Sequence, residues 1–131
     1  MDEIVLTLPR EPEWHGVAYL VLSGLAARLD LTVEALEDWQ LALCELFVRQ
    51  HDGEPVRIVF RAAAETLETR FGPVDSQLVA ELEREEEGVG LRRVLSTLTD
   101  DVRVEAIEGD KWVVLRKAIV HPDGARQRDS S

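Results

Sequence analysis

Apolar residues recur along the chain with two different periods, and the switches between them divide it into elements. Ile4-Val5-Leu6-Thr7-Leu8 reads as a strand closed by Pro9. Pro12 suits the first turn of a helix, where a missing N–H is no loss. Trp14, Val17, Ala18, Val21, Leu22, Leu25 and Leu29 then recur at three- and four-residue steps, which predicts one broad apolar face. Asp30-Leu31-Thr32 makes a break, and Thr32 can cap a second helix. That helix carries Leu36, Trp39, Leu43, Leu46 and Phe47 on one side and stops near His51-Asp52-Gly53.

The period then drops to two. Val56, Ile58 and Phe60 alternate with Arg57 and Arg61, and Leu67, Thr69 and Phe71 alternate with Glu68 and Arg70. The short span from Ala62 to Glu65 between them predicts a hairpin-like connection, and Gly72-Pro73 is expected to end the second strand. Residues 76–87 form a short amphipathic stretch that closes in Glu85-Glu86-Glu87, a run of like charge expected to be a mobile, solvated lid. Gly88-Val89-Gly90 opens a third helix with Leu91, Val94, Leu95 and Leu98 inward. Val102, Val104 and Ala106 give a further strand, Glu108-Gly109-Asp110-Lys111 a turn, and Trp112 to Leu115 the closing strand.

The order β-α-α-β-β-(lid)-α-β-β, with strands joined by short turns, predicts an α+β fold. Its form is a two-layer sandwich with a largely antiparallel sheet and helices on one face. Residues 1–118 are expected to make one domain, and the polar residues 119–131 a disordered tail.

Composition narrows the function. Asp and Glu outnumber Lys and Arg 26 to 15, giving a net charge of −11, which argues against binding a phosphate backbone. An acidic surface keeps a protein in solution or speeds its encounter with a basic partner. Cys44 is the only cysteine, so there is no disulfide framework, and His15, His51 and His121 lack ligand spacing, so no metal site is expected. No apolar run approaches the ~18–20 residues that span a bilayer, and Met1-Asp2-Glu3 lacks a basic leader. A cytoplasmic location follows.

Three segments carry a resemblance: Asp38-Trp39-Gln40-Leu41-Ala42-Leu43-Cys44-Glu45, Gly88-Val89-Gly90-Leu91, and Leu98-Thr99-Asp100-Asp101-Val102-Arg103-Val104-Glu105. In this order they resemble the small anti-sigma-factor serine kinases of partner-switching pathways, built on the histidine-kinase-type ATPase fold. The likeness runs over roughly residues 3 to 118. It implies an ATP site of three pieces. They are a second-helix Glu with an Asn four residues on (a general base and a magnesium ligand), an Asp-x-Gly that reads adenine, and a Gly-x-Gly helix start that meets the phosphates.

The pieces survive unequally. Glu45 stands at the base position, where an ordinary polar residue on a helix edge would satisfy the same pattern. Arg49 replaces the Asn, and a guanidinium has donors and no acceptor, so it cannot ligate magnesium. It can pair with Glu45 or reach a phosphate. Aligned on strand alternation, Phe71 takes the place of the adenine-reading Asp; aligned on Gly72, Arg70 does. The inward side of the strand favours Phe71. Gly88 and Gly90 are retained, and would hold a nucleotide together with Arg49 if one binds.

What the resemblance implies is therefore a regulator that binds a sigma factor or related protein, without robust ATP binding. The alternatives are an active ATP- and magnesium-dependent kinase of an anti-sigma-factor antagonist, with Glu45 as base, or a non-catalytic dimerisation partner of such a kinase. A homodimer is expected on the same grounds.

Overall fold

The computed structural model describes residues 2–49, 55–84 and 90–119. Five antiparallel strands form one open sheet in the order β1-β2-β3-β5-β4. They are β1 (Asp2–Leu8), β2 (Val56–Ala63), β3 (Thr66–Val74), β4 (Asp101–Ile107) and β5 (Asp110–Ala118). The helices are α1 (His15–Leu29), entered through a 3-10 turn at Pro12–Trp14, α2 (Val33–Val48), α3 (Ser76–Glu83) and α4 (Leu91–Leu98). The inward residues of every strand join Leu22, Trp39, Leu43, Leu46, Leu78 and Leu95 from the helices in one core. This is the predicted α+β sandwich, consistent with a histidine-kinase-type ATPase fold.

Local chemistry sets the element ends. Asp30 closes α1 in the left-handed conformation (φ 55°), and the Thr32 hydroxyl accepts from the Ala35 amide at 3.0 Å to start α2. Asp75 caps α3 in the same way, through Leu78 N at 2.9 Å. Glu108 and Gly109 both have positive φ, as a two-residue hairpin turn that matches strand twist requires.

Two expectations are corrected. β3 does not end at Gly72-Pro73 but runs on to Val74, with a shift of register against β5 between Phe71 and Val74. The stretch read as a lid begins as a true helix, α3, because Leu78 and Leu82 both find places in the core. The acidic run Glu85–Glu87, Gly88 and the tail from residue 120 lie outside the described residues, as does His51.

The outward face of the sheet is organised. Register places Glu3, Arg61, Glu68, Arg116 and Asp101 side by side, so charge alternates in sign across all five strands. Arg61 meets Glu3 at 2.6 Å, while Glu68 accepts from Arg116 at 2.7 Å and from Arg70 at 2.8 Å. Val114, paired with Arg70 and Arg103 on the same face, is buried. Glu68 itself is only 9% exposed.

Burial opposes charge on Glu68, but the hydrogen bonds from Arg70 and Arg116 outweigh it and hold the carboxyl below its ordinary pKa. In the unfolded chain it titrates at the ordinary, higher value. Its contribution is therefore complete above that value and lost as pH falls through the depressed folded one. Urea melts between neutral pH and about pH 3 are expected to show this loss in the parent and a shallower one in Glu68→Gln. Parallel acid slopes for the two proteins would remove Glu68 as the cause.

Candidate functional site

α2 offers Glu45 and Arg49 one turn apart on its flank, and their geometry is a closed bridge. The Arg49 Nη1 donates to the Glu45 carboxylate at 3.2 Å and to the Glu45 backbone carbonyl at 3.0 Å. Its Nε faces the Glu81 carboxylate on α3 at 3.1 Å. One guanidinium thus ties the base-position glutamate and the α3 helix together. All three side chains are partly exposed, so the bridge positions groups more than it stabilises the fold. Glu81 had no sequence signal, since nothing in spacing relates it to α2. A cleft of about 230 Å³ adjoins the bridge, lined by Arg49 and Glu81 together with Val48, Gln77 and Arg84.

Phe71 is fully buried on the inward face of β3. Its ring meets Phe47 of α2 edge-on, with centroids 5.3 Å apart and planes at 75°. Phe47 in turn stacks on His15 at 4.0 Å and takes the edge of Tyr19 at 6.1 Å. Burial pushes the His15 pKa below its ordinary value, partly offset by a hydrogen bond to the Arg10 backbone. The preceding loop closes over the end of β3, with the Arg10 Nη2 donating to the Pro73 carbonyl at 3.4 Å. Strand parity is thereby settled: Phe71 points to the helices, and Arg70 points outward to Glu68 and to Glu105. Thr69, on the inward face beside it, is buried with its hydroxyl unpaired among the described residues.

Gly90 is the N-cap of α4, in extended backbone and with no side-chain cap. A wide depression of about 660 Å³ lies beside it, flanked by Arg84, Arg92 and Arg93. The Arg92 guanidinium is engaged with the carbonyls of Leu82 at 2.7 Å and Val102 at 3.2 Å, which fastens α4 to α3 and β4. Gly88 falls outside the described residues.

The adenine-reading and magnesium-binding parts of an ATP site are therefore not matched by the residues present. The position expected to carry a carboxylate carries a buried phenyl ring, and the expected oxygen ligand is a cation already paired twice. Among the described residues no three His, Cys, Asp or Glu side chains gather as a metal site. No helix of the described residues is long and apolar enough to cross a membrane.

An α+β sandwich carrying this helix pair is consistent with the histidine-kinase-type ATPase fold. Comparison with known proteins narrows it. The chain is 35% identical to the serine-protein kinase RsbW of Listeria monocytogenes serovar 1/2a, over 88% of this chain and 87% of that protein. It is 34% identical to the RsbW of Listeria innocua over the same shares. To the RsbW of Bacillus subtilis it is 39% identical over a shorter stretch, 34% of this chain and 28% of that protein. No family model matches the chain. The chain belongs to this family of serine-protein kinases, the one its second-helix and Gly-x-Gly-Leu segments resemble.

Proposed function

We propose that this protein is a regulatory binding protein of the anti-sigma type, which engages a sigma factor or its antagonist without robust ATP binding. One observation carries the reading: Phe71, which strand alternation aligns with the adenine-reading Asp that the resemblance implies, is fully buried in the core. The Arg49 bridge supports it, because the carboxylate at the base position is already engaged by a guanidinium at 3.2 Å. Phosphoryl transfer also depends on a metal to neutralise developing charge, and Arg49 cannot ligate one.

The test is calorimetry with Mg-ATP on the full chain. No saturable heat is expected at micromolar protein, and Arg49→Asn alone is expected to leave that unchanged, since Phe71 still closes the pocket. Tight, magnesium-dependent binding by the parent protein would overturn the reading. It would favour the second one, an active serine kinase with Glu45 as base, for which the 35% identity to a kinase over most of the chain already speaks.

A further inference from the structure

We propose that the outer surface of the α1–α2 hairpin is a docking seam for a basic, amphipathic helix of a partner protein. The inference rests on reading the protein as a binding regulator, and names the surface and the chemistry of the partner.

The two helices pack antiparallel in a register set by two contacts. Tyr19 lies beside Cys44, and Gln40 Nε2 donates to Ser23 Oγ at 3.5 Å. Steps of four, three and four residues then carry one stripe along each helix, away from the core. On α1 it runs through Gly16, Leu20, Ser23 and Ala27, and on α2 through Glu37, Leu41, Cys44 and Val48. Leu20 is 74% exposed, Leu41 55% and Val48 60%, an unusual gathering for so small a chain. A Cβ added at Gly16 would meet nothing within 4 Å, so the α1 side is open there. The stripe extends over about three helical turns, or roughly 17 Å, a length matched by the i, i+3, i+4 and i+7 anchors of one helix.

The charge around the stripe selects the occupant. Glu34 and Glu37 are exposed at the end formed by the start of α2, and neither has an ion-pair partner among the described residues. The outward face of the sheet differs: its carboxylates are already paired to neighbouring arginines. The hairpin is thus where exposed apolar area and uncompensated negative charge coincide. A second copy would bring the same carboxylates and a chain of net charge −11, so a basic partner fits better.

The probe is a synthetic peptide of about 18 residues with leucines on one helical face and Lys and Arg elsewhere. It is titrated into the 15N-labelled full chain and followed by NMR. Saturable shifts centred on Leu20, Leu41 and Val48 are expected. Binding is expected to weaken about tenfold or more with a scrambled peptide of equal composition, and equally with the Leu20→Ser/Leu41→Ser chain. Both leucines are exposed, and an otherwise unchanged spectrum verifies that this variant is folded. Glu34→Gln/Glu37→Gln is expected to weaken binding at low salt and to matter little at high salt.

No saturable binding, equal binding of the scrambled peptide, or shifts centred on the sheet would each overturn the proposal. Concentration-dependent shifts at Leu20 and Leu41 without peptide would assign the seam to a second copy instead, which also overturns it. The outcomes separate from those of the nucleotide test. ATP binding by the parent would sink the preceding reading and leave the seam result standing, whereas a failed titration with no ATP heat sinks only the seam.

Discussion

Phe71→Ala is expected to lower the unfolding free energy by about 3–5 kcal/mol, the usual cost of emptying a fully enclosed aromatic site. The ring is completely buried and supplies the edge that Phe47 packs against at 5.3 Å. Truncation therefore removes transfer free energy and leaves a cavity beside Phe47 of α2, whose ring also contacts His15 and Tyr19 of α1. Phe71→Asp is expected to cost at least as much and not to create an adenine site, because the carboxylate would be buried without a partner. Arg70→Ala, next in sequence, is expected to cost only about 1 kcal/mol, since its ion pairs are on the partly exposed outer face. Urea melts of the three variants decide it. A near-parent melt for Phe71→Ala beside a large loss for Arg70→Ala would mean that β3 faces the other way and the pocket is open.

Gly72→Ala is expected to destabilise by about 1–3 kcal/mol, by overpacking rather than by backbone strain. A Cβ at Gly72 would lie 2.6 Å from Cδ2 of Trp112 and 2.9 Å from two further indole atoms. Those atoms belong to the inner part of the ring system, and Trp112 is itself buried, so the indole has little room to withdraw. The neighbouring strand β5 would have to move. The contact is testable as a pair: in a Trp112→Ala background the cost of Gly72→Ala is expected to vanish, giving a coupling energy about equal to the single-mutant loss. An undiminished cost in that background would place the strain elsewhere, in the irregular step between Phe71 and Val74.

Much of this architecture was legible in one dimension because it rests on local chemistry. The change of period separates helices from strands, Thr32 marks the start of α2, and Glu108-Gly109 marks the last hairpin, each through interactions within a few residues. The inward side of β3 was readable from Leu67, Thr69 and Phe71 for the same reason, since side chains alternate along any strand. The site readings rested on side-chain type alone: Arg49 stands where the resemblance implies an Asn, and Phe71 or Arg70 where it implies an Asp.

What residue order could not give were relations between distant segments. Glu81 reaches Arg49 only when α3 is laid beside α2, and nothing in the 76–87 pattern distinguished that helix from a charged loop. Glu68 reads as a solvent-facing residue in an alternating strand, yet it is nearly enclosed, because β1, β2, β5 and β4 deliver a row of alternating charge on either side of it. Gly72 reads as a strand end and proves to be the floor under an indole from another strand. Leu20, Leu41 and Val48 likewise belong to separate apolar patterns until the hairpin closes and turns them outward together. By itself the sequence determined most of the elements, their inward faces and the chemical identity of the site residues, since those follow from backbone geometry and side-chain type. Tertiary structure alone decided which of them meet, because strand register and helix packing join residues whose separation along the chain carries no signal.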